Sequence, residues 1–492
     1  MRLDSVPSSR TMRAVAAAFV SIVLVACSGS HGPTPLTRDQ LLDPKTCASC
    51  HADHYAQWAE SVHAHASDDP VFLAMNARGQ RETNGTLGSF CVNCHAPLAV
   101  KQGATTNGLN LASVDPKLKG VSCFFCHTVD AVSGAHDDPL HLADDAGFRG
   151  SISDPIAAPH GSAYSPLLDR NQRASATMCG ACHDIVTPHG AAIERTFAEW
   201  QHTAFSASPG GTTCGQCHMN ESTTKVPIAN VSGAPPRSLH AHQMDAVDLI
   251  PGDGGLPDAD QLQRVEQFLD STLQSALCVR TLAGQSKVEV ILDNVAAGHS
   301  FPSGSAQDRR FWAEVHASSD GGEIYASGDV SDGGSVTALS DVWLLRDCMY
   351  DTTGAQVDMF WNAASTEGNE LPGQATFDST NPAFYQSHLA QTYPLDGSAL
   401  SATPDQVTLN LWLQPIGRDV LDDLVQSGDL DPSIAANAPQ LPINTQLTWT
   451  PQSVNTSFVD PSDGALVSCI STTGLNPQAA TVPAPKNAHC SP

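Results

Sequence analysis

The pattern of apolar positions changes near Gly255 and divides the chain into two textures. Beyond residue 279, apolar and polar residues alternate: Val288, Val290 and Leu292; Phe311, Ala313 and Val315; Val342 and Leu344; Val407, Leu409, Leu411 and Leu413. A period of two buries one face of a strand, and turn sequences at Asp320-Gly-Gly322, Asp332-Gly-Gly334 and Asp396-Gly397 separate the runs. The expectation is an all-β, immunoglobulin-like sandwich over 279–470, interrupted by a short helix at 418–425, with a tail over 471–492. Ahead of it, Pro257 follows the break Asp253-Gly-Gly-Leu and opens a linker over 256–278. Its helix, 258–277, places Leu262, Val265, Leu269, Leu273 and Leu277 on one face, expected to lie against the N-terminal region.

Residues 46–255 read differently. Regular periodicity is weak, and Gly, Pro, His and Ser are frequent. One exception is 52–66, where Tyr55, Trp58 and Val62 share a helical face. Side chains alone would give this region a poor core, so something else must fill it.

The candidate filler is written five times. Cys-x-x-Cys-His occurs at Cys47, Cys50 and His51; Cys91, Cys94 and His95; Cys123, Cys126 and His127; Cys179, Cys182 and His183; and Cys214, Cys217 and His218. Two thiols at that spacing reach the two vinyl groups on one haem edge, and the next imidazole swings under the iron as axial ligand. A thioredoxin-like motif would not require a histidine each time, and paired zinc sites would not demand a fixed fifth residue. The reading is five covalently bound haem c groups that form the core of an α and irregular domain. First cysteines 44, 32, 56 and 35 residues apart leave room for a helix or two per haem, so the haems must sit close together.

His63 cannot share an iron with His51, because twelve helical residues separate them by ~18 Å along the axis. The same reach argument removes His54 from the first haem. Distal ligation must therefore join one motif to another.

These motifs resemble those of the cytochrome c-554-type multihaem cytochromes. The resemblance is carried by Tyr55, Trp58, Ser61 and His63 after the first motif, Gly120-Val-Ser-Cys-Phe-Phe-Cys-His127, Met178-Cys-Gly-Ala-Cys-His-Asp184, and Phe197-Ala-Glu-Trp200 before Cys214-x-x-Cys-His-Met219. It covers roughly 46–250 and, more loosely, the β-rich part. Name-giving members have four motifs where this chain has five, so their ligand scheme does not transfer whole. The resemblance implies distal ligands at His63, at His160 in Pro159-His-Gly-Ser-Ala-Tyr-Ser-Pro166, at His242 in His242-Gln-Met-Asp, and at His299 in Gly298-His-Ser-Phe-Pro-Ser-Gly304. His65, His136, His141, His189 and His240 compete for the fifth place, or one haem has no distal protein ligand.

The N-terminus adds an address. Arg2, Arg10 and Arg13 precede an apolar run from Ala14 to Val25, too short for a mature membrane span. Leu24-Val25-Ala26-Cys27 resembles a lipobox, which implies a signal peptide over 1–26, a lipid on Cys27 and a tether over 27–45. Ser28 after that cysteine points to the outer membrane, with the periplasmic and cell-surface faces both open. Formal net charge is −27 for the chain, and −29 once the signal's three Arg and one Asp are removed. Such acidity excludes nucleic acid and favours a redox partner protein with a basic docking face. Four cysteines remain outside the motifs, Cys278, Cys348, Cys469 and Cys490, and an exported chain would join them in two disulfides. Of the three pairings, Cys278–Cys348 with Cys469–Cys490 is the expectation.

The function expected is electron transfer by a membrane-anchored pentahaem cytochrome. Two other classes stay open: an oxidoreductase acting on a small nitrogen or sulfur species at a five-coordinate haem, and a surface lipoprotein whose β domain binds a partner.

Overall fold

The computed structural model describes residues 34–145, 147–207, 211–252, 255–330 and 334–485. The signal peptide, Cys27, the first part of the tether, Asp253, Asp332 and Cys490 lie outside the described residues. No helix among the described residues is long and apolar enough to cross a membrane.

The N-terminal part is helical and irregular. After the first motif, helix α1 (Ala52–Ala59) ends at Glu60, and a separate turn, Val62–His65, follows. The single helix expected over 52–66 is broken because the buried Ser61 turns its hydroxyl to the Trp58 carbonyl and accepts from Ala64 N–H, capping a new start. Helix α2 (Pro70–Glu82) begins where Asp69 accepts from Phe72 N–H at 2.7 Å, with Pro70 in the first turn. The side-chain clusters of this region are small, and the largest core lies in the β-rich part.

Helix α3 (Ala259–Leu269) is shorter than the expected helix over 258–277. Leu273 and Leu277 instead belong to strand β1 (Leu273–Leu282). Positions four apart share a face in a strand as well as in a helix, so the apolar spacing ran on across the boundary. Val265 and Leu269 enter the sandwich core, and Phe268 and Arg264 touch the N-terminal region at His218 and Asp245. The apolar face of α3 therefore packs on the sandwich rather than on the haem region.

The β-rich part continues with β2 (Gln285–Asn294), β3 (Arg310–Ser319), β4 (Gly322–Ser327), β5 (Trp343–Leu345), β6 (His388–Tyr393), β7 (Gln406–Gln414), β8 (Leu441–Trp449), β9 (Thr456–Val459), β10 (Leu466–Ser471) and β11 (Val482–Pro483). One sheet runs β9-β10-β1-β2-β6-β11; the other runs β4-β3-β7-β8, with β5 also pairing β3. Val288, Val290, Leu292, Phe311, Ala313, Val315, Val407, Leu409, Leu411 and Leu413 fill the space between them, so the period-two reading located the inner face of these runs. In the run of Val342 and Leu344 it chose the other face: those two pack with Val336 in a separate cluster, while Trp343 and Leu345 enter the core. Asp320 and Gly321 take positive φ in the β3–β4 turn, as a tight hairpin requires. Helix α4 (Arg418–Gln426) projects from the sandwich and receives α2, with Arg78 bonded to Asp423 at 2.5 Å and Arg81 to Asp429 at 2.6 Å.

Cys278 and Cys469 oppose each other in register on β1 and β10 and form a disulfide. This replaces the expected Cys278–Cys348 and Cys469–Cys490 pairing. Neighbouring strands bring together cysteines 191 residues apart, a closeness invisible along the sequence. Cys348 is held in a disulfide of its own.

Candidate haem-attachment cavity

Each motif is one helical turn. His51, His95 and His183 donate their N–H to the carbonyl of the first cysteine at 2.8, 3.2 and 3.1 Å, and the third and fifth motifs lie in the short helices Cys123–Thr128 and Cys214–His218. Residues at i, i+3 and i+4 of a turn share a face, so both thiols and the imidazole project together. Ser122 and Thr213 cap two of these turns by accepting from Phe125 and Gln216 N–H.

All ten thiols and all five imidazoles line one cavity of ≈ 2100 Å³. A pocket for one small molecule holds ~300–1,000 Å³, so this space suits several large groups rather than one. The ten thiols form no disulfides. Burial pushes the Cys91 and Cys126 thiols up to about 12. Among the described residues, no three His, Cys, Asp or Glu side chains converge as a bare metal site. Permanent thioether attachment of haem fits this donor set.

The imidazoles are pre-set as ligands. Nδ1–H of His51, His95, His127 and His218 donates to the carbonyls of Ile228, Ala66, Arg149 and Asp245 at 2.8, 3.0, 2.6 and 2.9 Å. His183 instead faces the Glu194 carboxylate, 3.3 Å away. Occupying Nδ1 fixes the tautomer and leaves Nε2 bare for a metal.

The four proposed distal histidines also line the cavity. His63 faces His183, with ring centres 6.1 Å apart and planes at 87°; His160 faces His51 at 6.2 Å and 37°. Two imidazoles gripping one metal at ~2.1 Å from each nitrogen hold their ring centres about 6 Å apart. His242, in ring contact with His54, is also close enough to feel the charge of His127, and His299 that of His218 and His183. His242 and His299 bond Nδ1 to the carbonyls of His240 and Ser300 at 2.8 and 2.7 Å, and His160 meets the Ser162 hydroxyl at 3.1 Å. Burial lowers His63, His160, His242 and His299 each to about 4, so their ring lone pairs are free at neutral pH.

Three motif histidines have no histidine in ring contact among the described residues: Phe72 stacks on His95 at 4.0 Å, Phe148 lies 6.1 Å from His127, and Phe268 lies 5.2 Å from His218. With His242 near His127 and His299 near His218, His95 is the one left without a distal candidate. Of the competitors for that place, His65, His136, His141 and His189 are outside the cavity wall; His240 is in it, beside Arg170 and Glu221. His54, which helical reach was expected to keep from the first motif, has its ring centre 5.9 Å from that of His51 and 4.6 Å from that of His242; its buried Nδ1 has no partner, unlike the pre-set rings.

The β-rich part supplies a wall of this cavity. His299, Phe301, Ser303, Gln307, Asp308 and Arg309 come from the loop between β2 and β3. Glu199 ties that loop to the helix Thr196–Gln201, accepting from Ser300 N–H at 3.0 Å and the Ser303 hydroxyl at 2.7 Å. Arg309 pairs with Asp248 at 2.8 Å. Sequence reasoning missed Glu194, Glu199 and Phe72. Phe197-Ala-Glu-Trp200 contains Glu199, but no local signal marks the other two.

Residues 46–128 match the family described as Cytochrome c554 and c-prime. The fold is similar to that of a penta-heme cytochrome c552 from Thermochromatium tepidum, at 18% identity and a TM-score of 0.56, covering 84% of this chain and 99% of that one. No curated protein matches. The family match spans the first three Cys-x-x-Cys-His motifs, and the likeness to the solved structure is one of fold.

Proposed function

We propose that the chain is an exported pentahaem c-type cytochrome that passes electrons along closely packed haems. The observation that carries the reading is that five motif histidines and ten cysteines line one cavity, with distal histidines facing motif histidines across it. Haem iron supplies one-electron exchange between ferrous and ferric states. The chain's part is to attach, space and ligate: pairs of neutral imidazoles leave no room for substrate and favour transfer over catalysis. The lipid on Cys27, the outer-membrane address and a basic redox partner belong to the same proposal. The sandwich is taken as immunoglobulin-like because its first, second and sixth strands share one sheet, while the third, fourth, seventh and eighth share the other. The test is haem stoichiometry: pyridine-haemochrome absorbance and intact mass should both give five per chain, and four or fewer would refute the count.

A second reading has one observation in its favour. Four distal candidates serve five motifs, and His95, with Phe72 stacked on its ring at 4.0 Å, is the motif histidine left over, which favours an oxidoreductase whose second motif keeps an open position for a small nitrogen or sulfur species. Spectra should then contain one high-spin iron that shifts on adding nitrite, hydroxylamine or cyanide. Five unresponsive low-spin irons would dismiss this reading.

A further inference from the structure

The five motifs do not follow one another in space. Cys47 of the first lies beside Cys123 of the third, Cys94 of the second beside Cys182 of the fourth, and Cys214 of the fifth beside Cys179 of the fourth. Cys126 of the third is close enough to Cys179 and Cys182 to feel their charge. The fourth motif is therefore the junction: it adjoins the second, third and fifth, and the first connects through the third.

The junction motif also has a different proximal environment. Four motif histidines give their Nδ1–H to neutral backbone carbonyls, while His183 has the Glu194 carboxylate. We propose that Glu194 is a positioning residue that orients His183 through Nδ1–H and lowers the potential of the junction iron. This rests on the reading of the motifs as haem sites. An anionic acceptor draws the Nδ1 proton, makes the ring a stronger donor at Nε2, and so stabilises the ferric state.

Glu194 is placed for this by a short hairpin. Ile185 pairs with Glu194 in antiparallel register, two residues beyond His183, and Gly190 takes positive φ in the turn between the arms. The Thr187 hydroxyl donates to the Ala363 carbonyl at 2.6 Å, and the Thr366 hydroxyl to the Ala192 carbonyl at 3.2 Å, so the β-rich part clamps the hairpin. Arg195 is turned to Asp184 at 3.4 Å and Arg309 to Asp248, which leaves the Glu194 carboxylate to His183.

The junction can be read separately from the other sites. With the His63 and His183 planes at 87°, the two rings act on different iron d orbitals and leave that pair nearly degenerate, which gives a strongly anisotropic low-spin electron paramagnetic resonance signal. The experiment is a redox titration of the full-length, haem-loaded protein followed through that signal, for wild type, Glu194→Gln and Glu194→Asp, after haem counting on each. In Glu194→Gln the ferrous-to-ferric ratio of this iron at a fixed potential should rise about tenfold, an upward shift of ~59 mV, with a smaller shift at the second motif, whose His95 also feels the Glu194 charge, and the remaining signals unmoved. Glu194→Asp, which withdraws the carboxylate by one carbon, should move the same signal upward by less, and it decides the matter if the Gln variant takes up fewer haems. An unchanged midpoint in the deciding variant, or an equal shift of all signals, overturns the role of Glu194. A wild-type protein without five haems or without the anisotropic signal overturns the underlying haem reading as well.

Discussion

His63 and His183 stand 120 residues apart in the chain and 6.1 Å apart between ring centres, perpendicular across the shared cavity. The turn Val62–His65 carries His63 and the fourth motif carries His183, so this ring contact joins the first helical segment to the middle of the chain.

That pair should be visible by itself. His63→Ala is expected to abolish the strongly anisotropic low-spin signal and to create one high-spin iron. The signal assigned to His51 and His160, whose planes are only 37° apart, should persist in its ordinary rhombic form. Retention of the anisotropic signal would show that these two rings do not share an iron.

His299 tests whether the sandwich takes part in the redox core. It reaches the cavity from the β2–β3 loop, where Gly298 has φ 75°, a backbone conformation that glycine adopts without strain. His299→Ala should turn one iron high-spin and raise its potential, because the lost imidazole no longer stabilises the ferric state. Unchanged low-spin signatures would mean that the sandwich only walls the cavity.

Removing the cross-strand disulfide should act on stability alone. Cys278 and Cys469 sit in an apolar cluster within the first sheet, away from the cavity. The double change Cys278→Ser and Cys469→Ser should lower unfolding free energy by about 2–5 kcal/mol in denaturant titrations. Haem spectra should be unaffected; altered haem signals would contradict this separation.

Glu199 should make stability pH-dependent. Burial raises its carboxyl to about 7 despite the bonds from Ser303 and Ser300. A raised carboxyl holds its proton better folded than unfolded, so its contribution is fully present below the ordinary glutamate range, near 4.3, and is lost as pH climbs through about 7. Denaturation midpoints should fall between pH 5 and 8, and Glu199→Gln should flatten that slope. A slope of equal size in the variant would assign the effect to other groups.

By itself the sequence determined whatever is local and periodic. Cys-x-x-Cys-His needs one helical turn to converge, and alternation from Val288 to Leu292 or Phe311 to Val315 needs one strand to define an inner face. Tertiary structure decided the rest. The sequence contains His54, His63 and His65 within one short stretch, but only packing puts His63 opposite His183 and leaves His65 bonded to the Ala59 carbonyl. Spacing carried the helix expected over 258–277 past its end, because positions four apart suit both helix and strand. The partner of Cys278 was fixed by which strand lies beside β1, and Glu194 reached His183 through a hairpin held by Ala363. Such pairings join residues across tens to hundreds of positions, and their physical basis is the register of strands and the shape of a shared cavity rather than any neighbour in sequence.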